Sequence, residues 1–275
     1  MIQSLWKDGK YQAWLETLST KTTVGVHRAW VRWPDGTTRD SHLKIVFSTG
    51  ERPDRHLVHE ALAWLIANAL DLPVPELAGF LILNSQQISR AHPDRPEVDR
   101  TLAWVTSTID QGPLAIMPGM EQDAHLTREL KEWQHLRGCC GFDEWLGNTD
   151  RYPRNLLRRG PSDFVLIDHD NITGSAHWLA DALLNSHRDQ FKNVLRERCS
   201  PKPGGNPCPE RAFSNAMLEH ATAYPATISK LAEDILLWLH RLVDDDTDAW
   251  AMCAFITQRA NLIQGLIRGR YGLLM

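Results

Sequence analysis

The first fifty residues carry the pattern of half-buried strands. β-Branched and aromatic residues fill Thr22-Thr23-Val24-Gly25-Val26 and Ala29-Trp30-Val31-Arg32-Trp33. Pro34-Asp35-Gly36 supplies a turn, and His42 to Phe47 resumes the strand pattern, which predicts a hairpin or meander. From Arg55 to Leu70 the period changes. Leu57, Ala61, Leu62, Leu65, Ile66 and Ala69 recur at helical spacing, and Pro73 and Pro75 end the helix. Ala78 to Leu83 and Thr101 to Thr106 read as further strands, separated by a polar, proline-containing loop over 89–99.

The character changes at the breaker Gln111-Gly112-Pro113, beyond which helices dominate. Leu126 to Leu146 predicts one long helix, with Gly138 and Gly141 as candidate breaks. Leu156-Leu157 and Phe164 to Ile167 read as short strands. Helical stretches follow over 178–198, 210–222, 227–245 and 248–269, interrupted by the loop Ser200 to Pro209 and the acidic turn Asp244-Asp245-Asp246. A small sheet with one helix, then a larger helical part, predicts an α+β fold of two facing lobes rather than alternating βαβ units. The expected division is 1–110 for a small β-rich lobe and 111–275 for a larger, mainly helical one.

Composition removes several alternatives. Of 275 residues, 43% are hydrophobic and 23% charged, the mix of a globular chain that buries its own core. A net charge of −4 gives no pointer to nucleic acid or to an anionic membrane surface. No window approaches the apolar length of a membrane span, and the amino-terminal residues lack the continuous apolar stretch of a signal peptide. The 5 cysteines, with Cys139 and Cys140 adjacent in a helical pattern, suit reduced thiols, so a cytoplasmic location is expected. Among 12 histidines there is no H-E-x-x-H pair, which disfavours a zinc enzyme. Trp133, Trp145, Trp178, Trp238 and Trp250 fall in helical patterns and read as core or packing residues.

The chemistry concentrates in Phe142-Asp-Glu-Trp-Leu-Gly-Asn-Thr-Asp150-Arg-Tyr-Pro-Arg-Asn155-Leu-Leu157, followed by Phe164-Val-Leu-Ile-Asp168-His169-Asp170. A helix runs into a loop that Pro153 keeps from continuing as helix, a short strand follows, and a second strand delivers Asp168 at its end. Phosphoryl transfer needs a carboxylate facing the attacking hydroxyl, and oxygen donors holding Mg²⁺ against the phosphates. Asp150, Asn155 and Asp168 supply these groups in that order, and the D-x-x-x-x-N offset equals that of the kinase catalytic loop. Each residue alone has a plainer role as a turn or helix cap; the ordered set predicts a phosphotransferase. Arg151, Arg154, Arg158 and Arg159 cluster here, either attracting an anionic substrate or forming a solvated face.

Phe142 to Leu157 together with Ile167 to Asp170 resembles the HipA-like kinases, and more distantly the phosphatidylinositol kinases and aminoglycoside phosphotransferases. The resemblance implies a two-lobed protein-kinase-like fold, with ATP and Mg²⁺ as cofactors. It implies a phosphate-contacting strand lysine, matched by Lys44 in His42-Leu-Lys-Ile-Val46, and a helix glutamate, matched by Glu60 before a Leu-Pro-Val-Pro stretch over 72–75. In physical terms, a buried Lys44 ammonium needs a phosphate or the Glu60 carboxylate; otherwise it is a strand charge facing water. Asp170 matches a second metal ligand of the aminoglycoside phosphotransferases, or else caps the turn before Thr173. Gly25 sits where a phosphate-covering turn is expected, although no G-x-G-x-x-G is present. Thr101 to Ser107 occupies the inter-lobe position where adenine is bound by backbone. The match covers roughly residues 20–170, and the last hundred residues carry no motif.

These readings predict a kinase moving the γ-phosphoryl group to a hydroxyl, which the resemblance implies is on a protein, with Asp150 as base, Asn155, Asp168 and Asp170 as metal ligands, and Lys44, Glu60 and Gly25 around the nucleotide. An antitoxin partner is an expectation of the resemblance. The related pattern has histidine where Tyr152 stands, which motivates one alternative, a catalytically silent nucleotide-binding module. The Asp168-x-Asp170 spacing motivates another, a small-molecule kinase.

Overall fold

The structure, a computed structural model, describes residues 1–5, 10–20, 23–47, 53–95, 97–109, 114–116, 123–199 and 207–273. Six strands form one mixed sheet: β1 (Gln3–Leu5), β2 (Tyr11–Thr20), β3 (Val24–Arg32), β4 (Thr38–Val46), β5 (Ala78–Asn84) and β6 (Arg100–Ser107). Their spatial order is β1-β5-β6-β4-β3-β2, with β1 parallel to β5 and every other neighbour antiparallel. The two expected strands at 22–26 and 29–33 are one strand, β3, which forms the expected hairpin with β4, and β2 extends it to a meander β2-β3-β4. Its second turn is closed by Gly36, whose φ of 85° suits glycine, and by Asp35, whose carboxylate accepts the Thr37 N–H at 2.9 Å.

Alternation divides the sheet into two faces. Leu43 and Ile45 of β4, Ala103 and Val105 of β6, and Leu81 and Leu83 of β5 point one way into a small core closed by Ile88. Ile88 lies on α2 (Ser85–Ala91), a helix within what the sequence reads partly as loop. Asn84 and Gln87 form a capping box there, a signature present in the sequence. On the opposite face Val26, Lys44, Trp104 and Phe80 stand in one register row across four strands. Against that side lies α1 (His56–Ala69), buried continuously from Val58 to Ala67. A helix buried all round belongs to the middle of a core rather than its surface.

A second, three-stranded antiparallel sheet is built from β7 (Leu114–Ala115), β8 (Leu156–Gly160) and β9 (Asp163–Leu166). The remaining helices are α3 (Ala124–Glu132), α4 (Leu136–Leu146), α5 (Ala180–Asn185), α6 (Val194–Cys199), α7 (Pro207–Ala221), α8 (Tyr224–Leu242) and α9 (Asp246–Arg270). The α+β class is as expected. One hydrophobic core runs from α1, Phe80 and Trp104 through α4 to α8 and α9, with the Phe80 and Trp238 rings 5.0 Å apart. The breaker at 111–113 lies outside the described residues.

Three sequence expectations need correction. The long helix over Leu126 to Leu146 is two helices. They part at Trp133, whose extended ψ of 120° turns its indole inward against Phe164, 5.6 Å away. Gly138 and Gly141 stay inside α4, where a Cβ on Gly141 would come within 2.6 Å of the Tyr224 hydroxyl oxygen. The stretch 178–198 holds two short helices, because Asn193 is buried and caps α6 by accepting the Arg196 N–H at 3.1 Å. Trp178 precedes α5 instead of lying in a helix, and Trp250 is 60% exposed, whereas Trp133, Trp145 and Trp238 are buried as expected. Among the described residues no helix is long and apolar enough to cross a membrane.

The last hundred residues act on the end of α4. Arg259 of α9, fully buried, donates to the Glu144 and Trp145 carbonyls at 2.6 Å each, and to those of His187 and Asp189 at 3.1 and 2.9 Å. The Glu144 and Trp145 carbonyls are acceptors of the last turn of α4, and a cation is suited to them. Gly147 then ends the helix at φ 67°, and a Cβ there would lie 2.7 Å from the Phe191 ring. Gly147→Ala is therefore expected to destabilise the protein by about 1–3 kcal/mol, through combined backbone strain and overpacking. Urea denaturation at fixed pH measures this, and an unchanged midpoint would contradict it.

Candidate active site

The register row on the inner sheet face sets the first constraint. Lys44 lies between Val26 and Trp104, so its ammonium can leave apolar surroundings only at the far end of its stem. There it donates to Glu60 of α1 and to Asp168 just past β9, with Asp170 at 3.5 Å. The lysine side chain is 12% exposed and Glu60 only 4%. Burial alone would lower the Lys44 pKa, but the Asp168, Glu60 and Asp170 carboxyls reverse this and raise it well above its ordinary value. Burial likewise raises the carboxyl of Glu60 against the pull of Lys44, while Asp168 stays below its usual range because Lys44 outweighs its burial. The Asp170 carboxyl is raised, first by burial and then by the nearby Asp168 charge.

The segment from Ile167 to Asp170 is held from several directions. Asp168 has a φ of 59°, left-handed backbone that is uncommon outside glycine and that aspartate tolerates better than most residues. The next N–H, of His169, donates to Glu60 Oε1 at 3.1 Å. The Asp170 carbonyl is 2.8 Å from His59 Nδ1, and the Trp178 indole N–H donates to His59 Nε2 at 2.8 Å. An indole N–H only donates, so the His59 proton is on Nδ1 and serves the Asp170 carbonyl. Burial pushes the His59 pKa down to about 3, consistent with that neutral ring.

Asp150 and Asn155 lie on the loop after α4, and three buried residues shape it. Asp143 of α4 accepts the Asn148 side-chain N–H at 2.9 Å, and Asn148 Oδ1 accepts the Asp150 backbone N–H at 3.1 Å. Arg151, with no exposed side-chain surface, sits 3.3 Å from the Asp143 carboxylate. It also donates to the carbonyls of Asn155 at 3.4 Å and Ile167 at 2.6 Å, and to His169 Nδ1 at 2.8 Å. One guanidinium thereby ties the loop bearing Asp150 and Asn155 to the strand end bearing Asp168. The Ile167 N–H adds a 3.2 Å bond to the Asn155 carbonyl. Asn155 Nδ2 donates to the Asp150 carbonyl and, at 3.1 Å, to Asp150 Oδ2.

The arginine cluster is settled residue by residue. Arg158 pairs with Glu129 and Arg159 with Asp163, each through two nitrogens, and Arg151 is internal. Arg154 donates to Asp150 Oδ1 at 3.1 Å and stacks 4.2 Å over the Tyr152 ring. Gly25 lies inside β3 opposite Ile45 rather than in a turn. A Cβ there would meet His92 at 2.6 Å and Phe47 at 2.8 Å, so its bareness serves packing on the outer face. Val26, one residue on, faces a cavity of about 260 Å³ between the sheet and the β8–β9 hairpin, lined also by Lys44, Glu60, Trp104, Leu166 and Asp168. The Leu-Pro-Val-Pro stretch borders this arrangement: the Pro73 carbonyl accepts the Leu166 N–H at 2.7 Å, and the Pro75 carbonyl accepts the Trp64 indole at 2.9 Å.

Among the described residues no group of three or more His, Cys, Asp or Glu side chains is arranged to hold a metal ion. The donors expected here include an amide, however, and fit a hard cation on other grounds. The Asp168 and Asp170 carboxyls converge on one ammonium, and a divalent cation is suited to the same pair of oxygen donors. Asn155 spends its N–H₂ on Asp150, which leaves Oδ1 as the amide atom suited to a metal. Residues that sequence reasoning did not single out are Asp143, Asn148, His59 and Arg259, and it placed Arg151 in a surface group. The one available signal was that Asp143, Asn148 and Arg151 lie in the same segment as Asp150 and Asn155.

No protein-family model matches the chain, and no curated protein matches it.

Lys44→Met would leave Glu60 and Asp168 facing each other without a cation, at an expected cost on the order of 3 kcal/mol near neutral pH. The sign of the pH dependence follows from the shifts. The depressed Asp168 value contributes stability that is complete above its ordinary 3.8 and is lost as pH falls through the lowered value. The raised Lys44 value contributes below its ordinary 10.5 and is lost as pH rises through the higher one. The difference between wild type and Lys44→Met should therefore be largest between those limits and shrink below the ordinary carboxylate range, as read from urea midpoints across pH.

Proposed function

We propose that the protein is an ATP- and Mg²⁺-dependent phosphotransferase of the HipA-like type, with a two-lobed protein-kinase-like arrangement. In that arrangement the six-stranded sheet with α1 is the small lobe, and the helices beyond residue 111 form the larger one. The observation that carries this reading is the convergence of Lys44, Glu60 and Asp168, side chains 16 and 124 positions apart along the chain, next to a loop that joins Asp150 to Asn155. Phosphoryl transfer demands positioning and charge cancellation more than covalent chemistry, and these groups supply both.

In this reading the adenosine end of ATP occupies the apolar cavity beside Trp104, and Lys44 turns its ammonium to phosphate oxygens. Asn155, Asp168 and Asp170 would hold Mg²⁺, which supplies positive charge to the phosphate oxygens when bound. Asp150 accepts the proton of the attacking hydroxyl. Its Oδ2 accepts from Asn155, which fixes the carboxylate on the loop beside the amide. Glu60 orients Lys44 and the His169 backbone together. A protein hydroxyl as acceptor and a paired antitoxin remain part of the proposal through the resemblance, and a cytoplasmic setting through the cysteine pattern.

A silent nucleotide-binding module is the second reading. It is favoured by Arg154, which covers Asp150 Oδ1 from its seat on Tyr152. The two readings part in one experiment. Purified protein is titrated with Mg–ATP by calorimetry and assayed for autophosphorylation, beside Asp150→Ala and Asp168→Ala. The kinase reading expects both variants to lose transfer by about a thousandfold or more, with Asp150→Ala still binding nucleotide. Binding without turnover in the wild type would establish the silent module, and near-normal turnover in both variants would refute the kinase assignment.

A further inference from the structure

His169 stands between two carboxylates and has no role in the scheme above, yet it is 2% exposed and its environment is polar and specific. Its Nδ1 is 2.8 Å from an Arg151 terminal nitrogen. A guanidinium has donors only, so Nδ1 is the acceptor and the ring proton is on Nε2. Among the described residues, that buried Nε2 has no hydrogen-bond partner. Leaving a buried donor unmade costs about 1–3 kcal/mol, which an apolar ring of the same shape, packed edge-on against Phe142 as His169 is, would avoid. The one thing such a ring could not do is accept from Arg151. The histidine is thus explained by Nδ1 alone.

Arg151 in turn has little freedom. Its other nitrogens are committed to Asp143 and to the Asn155 and Ile167 carbonyls. The Ile167 carbonyl and the His169 ring lie on either side of Asp168, the residue with φ 59°. The guanidinium therefore grips the chain immediately before and immediately after the strained residue. Left-handed backbone at a non-glycine position costs about 1–3 kcal/mol and persists only where the surroundings over-determine it.

We propose that the Arg151–His169 hydrogen bond is a latch holding Asp168 in its left-handed conformation, so that Arg151 and His169 are positioning residues for divalent-cation binding by Asp168. The inference rests on the reading of Asp168 as a metal ligand. With the latch open, residues 167–169 relax, the Asp168 carboxylate turns from the group around Lys44, and cation affinity falls without loss of the fold. Asparagine at 169 offers its amide oxygen near the position of Nδ1 and closes the latch; phenylalanine fills the space but cannot.

The test is cation binding in the presence of a non-hydrolysable ATP analogue, read by the electron paramagnetic resonance of Mn²⁺ on full-length protein well below its unfolding temperature. His169→Phe should weaken Mn²⁺ binding by about tenfold or more, the range for outer partners of metal ligands, and His169→Asn should return to within about threefold of wild type. Arg151→Lys, which keeps a cation beside Asp143 but cannot span the same acceptors, should match His169→Phe and serves if that variant fails to fold. Equal affinity in wild type, His169→Phe and Arg151→Lys would overturn the latch while leaving the metal assignment standing. If Asp168→Ala binds Mn²⁺ as tightly as wild type, the metal assignment falls and the latch falls with it. A structural role alone would lower the melting temperature of His169→Phe and His169→Asn alike, with unchanged affinity in the folded protein, and would also overturn the proposal.

Discussion

An ammonium group placed in an apolar row of a sheet must find anions, and this requirement organises the molecule. Lys44 cannot reach water along the row it shares with Val26, Trp104 and Phe80. Its charge is met by Glu60 on the helix that packs on that face and by Asp168 from the end of β9. Those two carboxyls are themselves buried or partly so, and each would be costly without the lysine. The three groups are consequently tolerable only together. Their common position requires the sheet, α1 and the β8–β9 hairpin to meet in one relative placement, which hydrophobic packing alone specifies less sharply.

A second buried cation complements the first from the other side. Arg151 carries a full charge with no exposed surface, balanced by Asp143 and spread over backbone carbonyls. Lys44 holds the Asp168 side chain, Glu60 holds the following N–H, Arg151 holds the preceding carbonyl and His59 holds the Asp170 carbonyl. Four residues thus hold four consecutive positions, Ile167, His169 and Asp170 by their backbone and Asp168 by its side chain. The left-handed Asp168 is the strained point within that frame, and strain located where the candidate chemistry converges has the character of preorganisation.

The division between what was legible in the sequence and what was not follows this physics. Local signals revealed local structure. The turn at Pro34-Asp35-Gly36, the helix ended before Pro73, and the strands leading to Lys44 and Asp168 all stand near where periodicity and breakers put them. Signals that depend on tertiary burial misled. Gly138 and Gly141 read as helix breaks because glycine is a poor helix former, yet here they admit Tyr224 and His220 against α4. Arg151 read as one of a surface group because arginine is seldom buried, and nothing in its neighbours shows that two carbonyls and an imidazole await it. Gly25 read as a turn glycine, but its vacancy is filled by His92, 67 positions further along the chain.

The carboxy-terminal helices illustrate the same limit at larger scale. They hold no recognisable motif, since what they contribute is placement. Arg259 closes the carbonyl end of α4, and Arg270 and Tyr271 bind the Glu144 carboxylate at 2.8 and 2.9 Å on the last turn of that helix. Trp145, stacked on Tyr224 at 4.4 Å, fixes the helix rotation. Gly147 then turns the chain into the loop that carries Asn148 and Asp150. Any error in the axial position of α4 would pass directly to Asp150, because only Gly147 and two further residues separate them. Many residue types could brace a helix end in this way, so such a function leaves no fixed sequence pattern, whereas a carboxylate that must face a hydroxyl leaves one. That asymmetry explains why the motifs fall within residues 20–170 and the last hundred residues, equally necessary to the geometry of the candidate site, carry none.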